Sequence, residues 1–157
     1  MRLDVELLEL RTRYEFRIAH GAHRNYQNVL VRLEHDGITG LGEGSASHYY
    51  GESCETMRVA LAAWAPLLGD DPFALDAIDA RLDSALMGNG SARAALEMAL
   101  HAWIGKKLGT PVWKLLGLDA AAAPISCVTL GMASPGEMDR KLDDVLDFPA
   151  IKVKLGS

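Results

Sequence analysis

Lys152 and Lys154 are the residues of this 157-residue chain best placed, by type and spacing, to do chemistry. They lie in the run Ile151-Lys152-Val153-Lys154-Leu155, which reads as a short β-strand. A strand has period two, so both amines leave one face and Val153 leaves the other. Inside a parallel barrel, Ile151, Val153 and Leu155 would then turn to the outer helices. The amines would stand near the carboxyl end of the strand, where barrel active sites are built. Two amines so close disfavour each other's protonation, so one can serve as a base while its partner stays charged. Without context, the same tripeptide is equally a pair of surface lysines on a solvated edge strand.

Three other places carry chemical groups. In the strand expected over residues 125–130, Val128 and Leu130 share one face, and Cys127 and Thr129 the other. If Val128 and Leu130 face the helices, Thr129 points inward near the strand's carboxyl end, where its hydroxyl can hold a carboxylate or carbonyl; local hydrogen bonding is an equally good use for it. The run His20-Gly21-Ala22-His23-Arg24-Asn25-Tyr26 gathers two histidines and an arginine that can meet an anion, or forms a solvated hairpin connection. The loop of residues 45–51 carries Tyr49 and Tyr50, whose rings can line a pocket. Glu97, on an otherwise apolar helix, reads as a paired structural carboxylate. The chain contains no G-x-G-x-x-G, P-loop, G-x-S-x-G or H-E-x-x-H sequence, and nothing supports a nucleophilic triad.

The elements that must position these groups follow from pattern. Residues 3–18 alternate with a phase slip at Leu7-Leu8, suggesting a bulge or bend. Val29, Val31 and Leu33 alternate cleanly before the hairpin signal Asp36-Gly37, and residues 38–44 return. The first third is therefore a three-stranded antiparallel meander with a long first connection over residues 20–28. Helical spacing marks residues 54–68 and 73–87. Ser91 is expected to cap a third helix over residues 92–107, apolar nearly all round and hence buried. A short helix follows at 112–116, and residues 120–123 read as a linker. After Pro124 come a strand, a helix opened by a Ser134–Glu137 capping box with Pro135 at its first position, and the lysine strand. Met138, Leu142, Val145 and Leu146 give that helix its apolar face. The crossover is long enough to make the two strands parallel. Residues 1–123 thus read as an α+β domain, and residues 124–157 as the first β-α-β of an alternating fold that is not finished, since a two-stranded parallel sheet needs cover on both faces.

Composition bounds the rest. With 49% hydrophobic and 24% charged residues the chain is globular. A net charge of −5 without basic runs argues against nucleic acid as a partner. No apolar run suits a membrane span, and Asp4, Glu6 and Glu9 interrupt any signal peptide. Cys54 and Cys127 form no CxxC pair, so a reduced, cytoplasmic setting is expected.

These residues together resemble the enolase superfamily in its muconate-lactonizing-enzyme branch: an α+β cap followed by a TIM-like barrel whose second strand carries K-x-K. Residues 91–103, Ser-Ala-Arg-Ala-Ala-Leu-Glu-Met-Ala-Leu-His-Ala-Trp, are similar to that branch's last capping helix. Gly42-Glu43-Gly44 and then Tyr49-Tyr50-Gly51-Glu52 are similar to a motif and following loop of its dipeptide epimerases, the L-Ala-D/L-Glu epimerase group. Residues 16–19 and 28–33 look like the strands that flank that group's first specificity loop. The resemblance implies that Lys154 is the acid/base residue acting on the proton α to a carboxylate, with Lys152 its charged neighbour. It puts Thr129 against substrate. It makes the loops containing His23, Arg24 and Tyr50 a lid that sets specificity, without choosing among His20, His23 and Arg24. It implies Mg2+ as cofactor, held by carboxylates of later barrel strands, so that no metal ligand is expected in this chain. The opposing base of a two-base epimerisation would likewise lie on a later strand. A dipeptide or acyl amino acid is the expected substrate, and a homo-oligomer is left open. Cycloisomerase, o-succinylbenzoate synthase and N-acyl amino acid racemase activities remain alternatives, as does a non-catalytic fragment.

Overall fold

The computed structural model describes residues 1–19 and 21–156; His20 lies outside the described residues. The chain divides into two compact units, Met1–Glu9 with Gln27–Asp119, and Leu10–Tyr26 with Ala120–Ser157. The boundary read at residue 123 groups residues 10–26 with the first part, whereas compactness groups them with the second.

The three-stranded sheet has strand order β1-β2-β3, with β1 at Arg2–Ile18, β2 at Gly21–His35 and β3 at Ile38–Gly44. β2 and β3 are antiparallel, with Val29, Val31 and Leu33 opposite Gly44, Gly42 and Gly40. Asp36 and Gly37 both have positive φ, 49° and 72°, as a two-residue primed turn requires. The slip foreseen at Leu7-Leu8 is visible as a change of face: Leu3 and Val5 are the half-buried residues before it, Leu8, Tyr14, Phe16 and Ile18 after it.

Four helices follow: α1 (Cys54–Trp64), α2 (Leu75–Ala85), α3 (Gly90–Leu108) and the short α4 (Val112–Leu115). Met57, Leu61, Trp64, Leu68, Ile78 and Leu82 are fully buried together with the three apolar residues of β2. β3 meets α3 at unusually close range. A β-carbon built on Gly42 would stand 1.8 Å from the Ala95 carbonyl oxygen, and one on Gly40 2.0 Å from that of Ala99. Glycine at alternate positions of β3 and small residues four apart on α3 let strand and helix approach almost backbone to backbone.

The structure corrects several sequence expectations. The long connection over residues 20–28 is mostly strand, because β2 begins at Gly21. Polar residues on both faces of that stretch erase the alternation that would have revealed it. Helix α3 is not buried all round, since Ala94 is exposed and Met98 is 46% exposed. Ser91 does not cap it. Asn89 holds the N-cap position at φ 54° without a side-chain cap, and Glu52, distant in sequence, satisfies the helix start. Ser91 donates its N–H to Glu52 Oε1 at 3.1 Å and its hydroxyl to Oε2 at 2.5 Å.

That contact predicts a pH dependence. The Ser91 hydroxyl, helped by N–H groups of Ser91, Ser47 and Gly90 and opposed by burial, holds the Glu52 carboxyl below its ordinary value. A lowered folded pKa contributes stability that is complete above the unfolded value of about 4.3 and is lost as pH falls through the folded value. Glu52→Gln is expected to cost about 1–3 kcal/mol at pH 7 and to shrink the loss of stability between pH 7 and pH 3. Urea unfolding followed by tryptophan fluorescence checks this; an equal loss in both proteins refutes it.

In the second unit a parallel pair, β4 (Val128–Leu130) and β5 (Ile151–Val153), flanks helix α5 (Pro135–Asp143). Both strands are shorter than the patterns at 125–130 and 151–155 suggested. Pro135 stands at the first helical position as expected, but Ser134 makes no side-chain cap, so the capping box does not form. Glu137 instead meets Lys141 at 2.9 Å. Leu142 and Leu146 are exposed, and the buried residue of α5 is Lys141.

Candidate active site

The β4–β5 register sets Val128, Thr129 and Leu130 opposite Ile151, Lys152 and Val153. Residues opposite one another share a face, so Thr129 and Lys152 are neighbours, and Lys154 is two residues further along the same face. The Lys154 N–H donates to the Leu130 carbonyl at 2.9 Å, carrying the ladder to that residue. Lys152 is exposed; Lys154 and Thr129 are half-buried. The expected constellation of a hydroxyl and two amines on one strand face is therefore present in the backbone. Thr129 also lines a hollow of about 400 Å3, together with Tyr14, Phe16, Lys141, Asp144 and Phe148.

The distal β1–β2 hairpin, residues 10–26, forms an arm of the same unit. Its tip lies near the carboxyl ends of the parallel strands: a β-carbon built on Gly156, two residues past Lys154, would be 3.7 Å from the Ala19 β-carbon. Arg24 donates from Nε to the Thr12 carbonyl at 3.3 Å and from Nη2 to that of Arg13 at 3.0 Å. Its guanidinium thus ties the arm's two strands together. The His23 ring is tilted against Tyr26 at 6.3 Å, and its Nε2 lies 3.3 Å from a β-carbon built on Gly21. In the first unit Tyr50 is 83% exposed in a single 3₁₀ turn, His48–Tyr50, beside Tyr49. Glu97 is paired, as expected, with Arg93 at 3.0 Å.

A network that the sequence reading missed joins the arm to α5. Asp144 accepts from the Tyr14 hydroxyl at 2.7 Å and from Arg13 at 3.0 Å. Those two bonds, the tyrosine's first, hold its carboxyl below the usual aspartate value, and the same bond pushes the Tyr14 phenol up. Its sequence signal is the spacing of Glu137, Lys141 and Asp144 at i, i+4 and i+7. Among the described residues no three His, Cys, Asp or Glu side chains gather. No helix among them is long and apolar enough to cross a membrane.

Sheet order, helices and the parallel pair define an α+β capping domain followed by the first β-α-β of a (β/α) barrel. The profile of the mandelate racemase / muconate lactonizing enzyme N-terminal domain matches residues 3–117, and the chain belongs to that family. It is 34% identical to the L-Ala-D/L-Glu epimerase of Bacteroides thetaiotaomicron, over 94% of this chain and 39% of that enzyme. A dipeptide epimerase from Enterococcus faecalis V583, solved with Mg and L-Leu-L-Tyr, matches with TM-score 0.86 and 25% identity, over 99% of this chain and 45% of the other. The muconate lactonizing enzyme of Pseudomonas fluorescens, solved with muconolactone, matches with TM-score 0.85 and 31% identity, over 99% and 44%. The chain thus spans less than half the length of these relatives.

Proposed function

We propose that this chain is the amino-terminal portion of a cytoplasmic, Mg2+-dependent dipeptide epimerase. What carries the reading is the shared face of Thr129, Lys152 and Lys154 at the carboxyl ends of two parallel strands, with Ala19 of the arm near Gly156, two residues past Lys154. Likeness to dipeptide epimerases over nearly the whole chain supports it.

In this reading Lys154 takes the proton from the substrate α-carbon. The C–H bond pair moves into the adjacent carboxylate to give an enolate, and a base on the opposite face returns a proton with inversion. Lys152 keeps its charge and steadies the enolate, and Thr129 donates to the substrate carboxylate or carbonyl. The candidates to contact the remainder of a dipeptide or acyl amino acid are His23, Arg24 and Tyr50, of which Arg24 would have to leave the Thr12 and Arg13 carbonyls to do so. The metal's ligands and the second base belong to sequence beyond these residues.

The test is exchange of the α-proton with deuterium in heavy water plus Mg2+, using the full-length protein and a panel of dipeptides. Exchange with inversion is expected. The 157-residue chain alone is expected to give none, and exchange by it alone would overturn the fragment reading. Likeness to the muconate lactonizing enzyme favours a second reading within the branch, a cycloisomerase, which lactone formation without dipeptide exchange would select.

A further inference from the structure

The polar stripe of α5 and its end does work that the proposed chemistry does not use. Lys141 is only 3% exposed. Its ammonium meets Glu137 at 2.9 Å, donates to the Glu15 carbonyl at 3.2 Å and lies 5.6 Å from the Tyr14 ring centroid. A buried ammonium is costly unless its charge and hydrogen bonds are matched. Here the carboxylate comes from α5, while the carbonyl and the ring come from the arm, so the match is complete only with the arm seated. One turn on, Asp144 binds Tyr14 and Arg13 of the same arm. The seating continues along the strand, where the Met132 N–H donates to the Arg17 carbonyl at 2.9 Å. There a β-carbon built on Gly131 would stand 2.9 Å from both the N and the O of Arg17. Residues 13–17 are thus fastened, and two residues further lies Ala19, beside Gly156.

We propose that Lys141 and Asp144 are positioning residues for substrate binding: through residues 13–17 they set where Ala19 stands beside Gly156, two residues past Lys154. The proposal rests on the functional reading above. The stripe touches the arm and not the reacting carbon, so loosening it weakens binding and leaves the proton transfer intact.

Two measurements test it. In the full-length protein, Tyr14→Phe and Lys141→Met are expected to speed hydrogen exchange of the amides of residues 13–17 by about fivefold or more, with α3 unchanged. In the full-length protein both raise KM about tenfold with kcat within about twofold, and Lys141→Arg restores KM. Tyr14→Phe removes one hydroxyl and keeps the ring, so it carries the test should Lys141→Met not fold. Unchanged arm exchange in Tyr14→Phe overturns the fastening whatever the kinetics. Faster arm exchange with KM unmoved, or with kcat falling instead, overturns the positioning role. Faster arm exchange in a protein with no dipeptide turnover in its native form leaves the fastening standing, and overturns the functional reading together with the substrate half of the proposal.

Discussion

Replacing Lys154 with alanine in the full-length protein is expected to slow α-proton exchange about a thousandfold for one epimer of a dipeptide and far less for the other. The asymmetry follows from geometry. In a two-base inversion each base serves one face of the α-carbon, so losing one leaves the other able to exchange the proton it faces. Lys152→Ala makes the contrast. In the proposed mechanism its charge serves the enolate common to both directions, so both epimers should slow alike. Proton magnetic resonance in heavy water, run separately from each epimer, reads both variants. Equal loss from both epimers in Lys154→Ala would make that lysine structural.

Gly42→Ala is expected to destabilise the first unit by about 3 kcal/mol or more. The added β-carbon would stand 1.8 Å from a backbone oxygen of α3. No rotamer change relieves that overlap; the strand or the helix has to move. Gly90→Ala is the control, because the nearest atom to its added carbon is Glu52 Oε1 at an ordinary 3.8 Å. It should be close to neutral, since Gly90 is the first residue of α3, where the interior preference for alanine is not fully felt. Urea unfolding followed through the buried Trp64 and Trp103 separates the two. Similar midpoints for both variants would mean that the close packing of β3 on α3 is absent in solution.

Strands and helices were legible where one face is apolar and the other polar. Val29 to Leu33, the Asp36-Gly37 turn and the spacing of Met57, Leu61 and Trp64 all folded as patterned. Legibility failed where burial is supplied by a distant partner. Residues 21–28 have no apolar alternation, so their strand character was invisible. Ser91 looked like a cap because the true one, Glu52, lies 39 residues away. The common face of Thr129 and Lys152, set opposite one another by the register, was readable because period two needs no tertiary knowledge. The fastening of Lys141 was not, because a lysine among Asp139, Arg140, Asp143 and Asp144 reads as solvated surface until Glu15 and Tyr14 arrive from the other end of the chain.

The arm is encoded with the cap but packs with the barrel's opening helix, and this bears on recombination. A chimera joined at residue 123, with this cap grafted onto a relative's barrel, would bring residues 10–26 away from their own Lys141 and Asp144. Where the recipient's first helix lacks a lysine and a carboxylate at those places, the graft would inherit a hairpin with no seat. The side chains on which such a match would rest are Arg13, Tyr14, Lys141 and Asp144, whereas the Glu15 carbonyl is a contact that any residue's backbone offers.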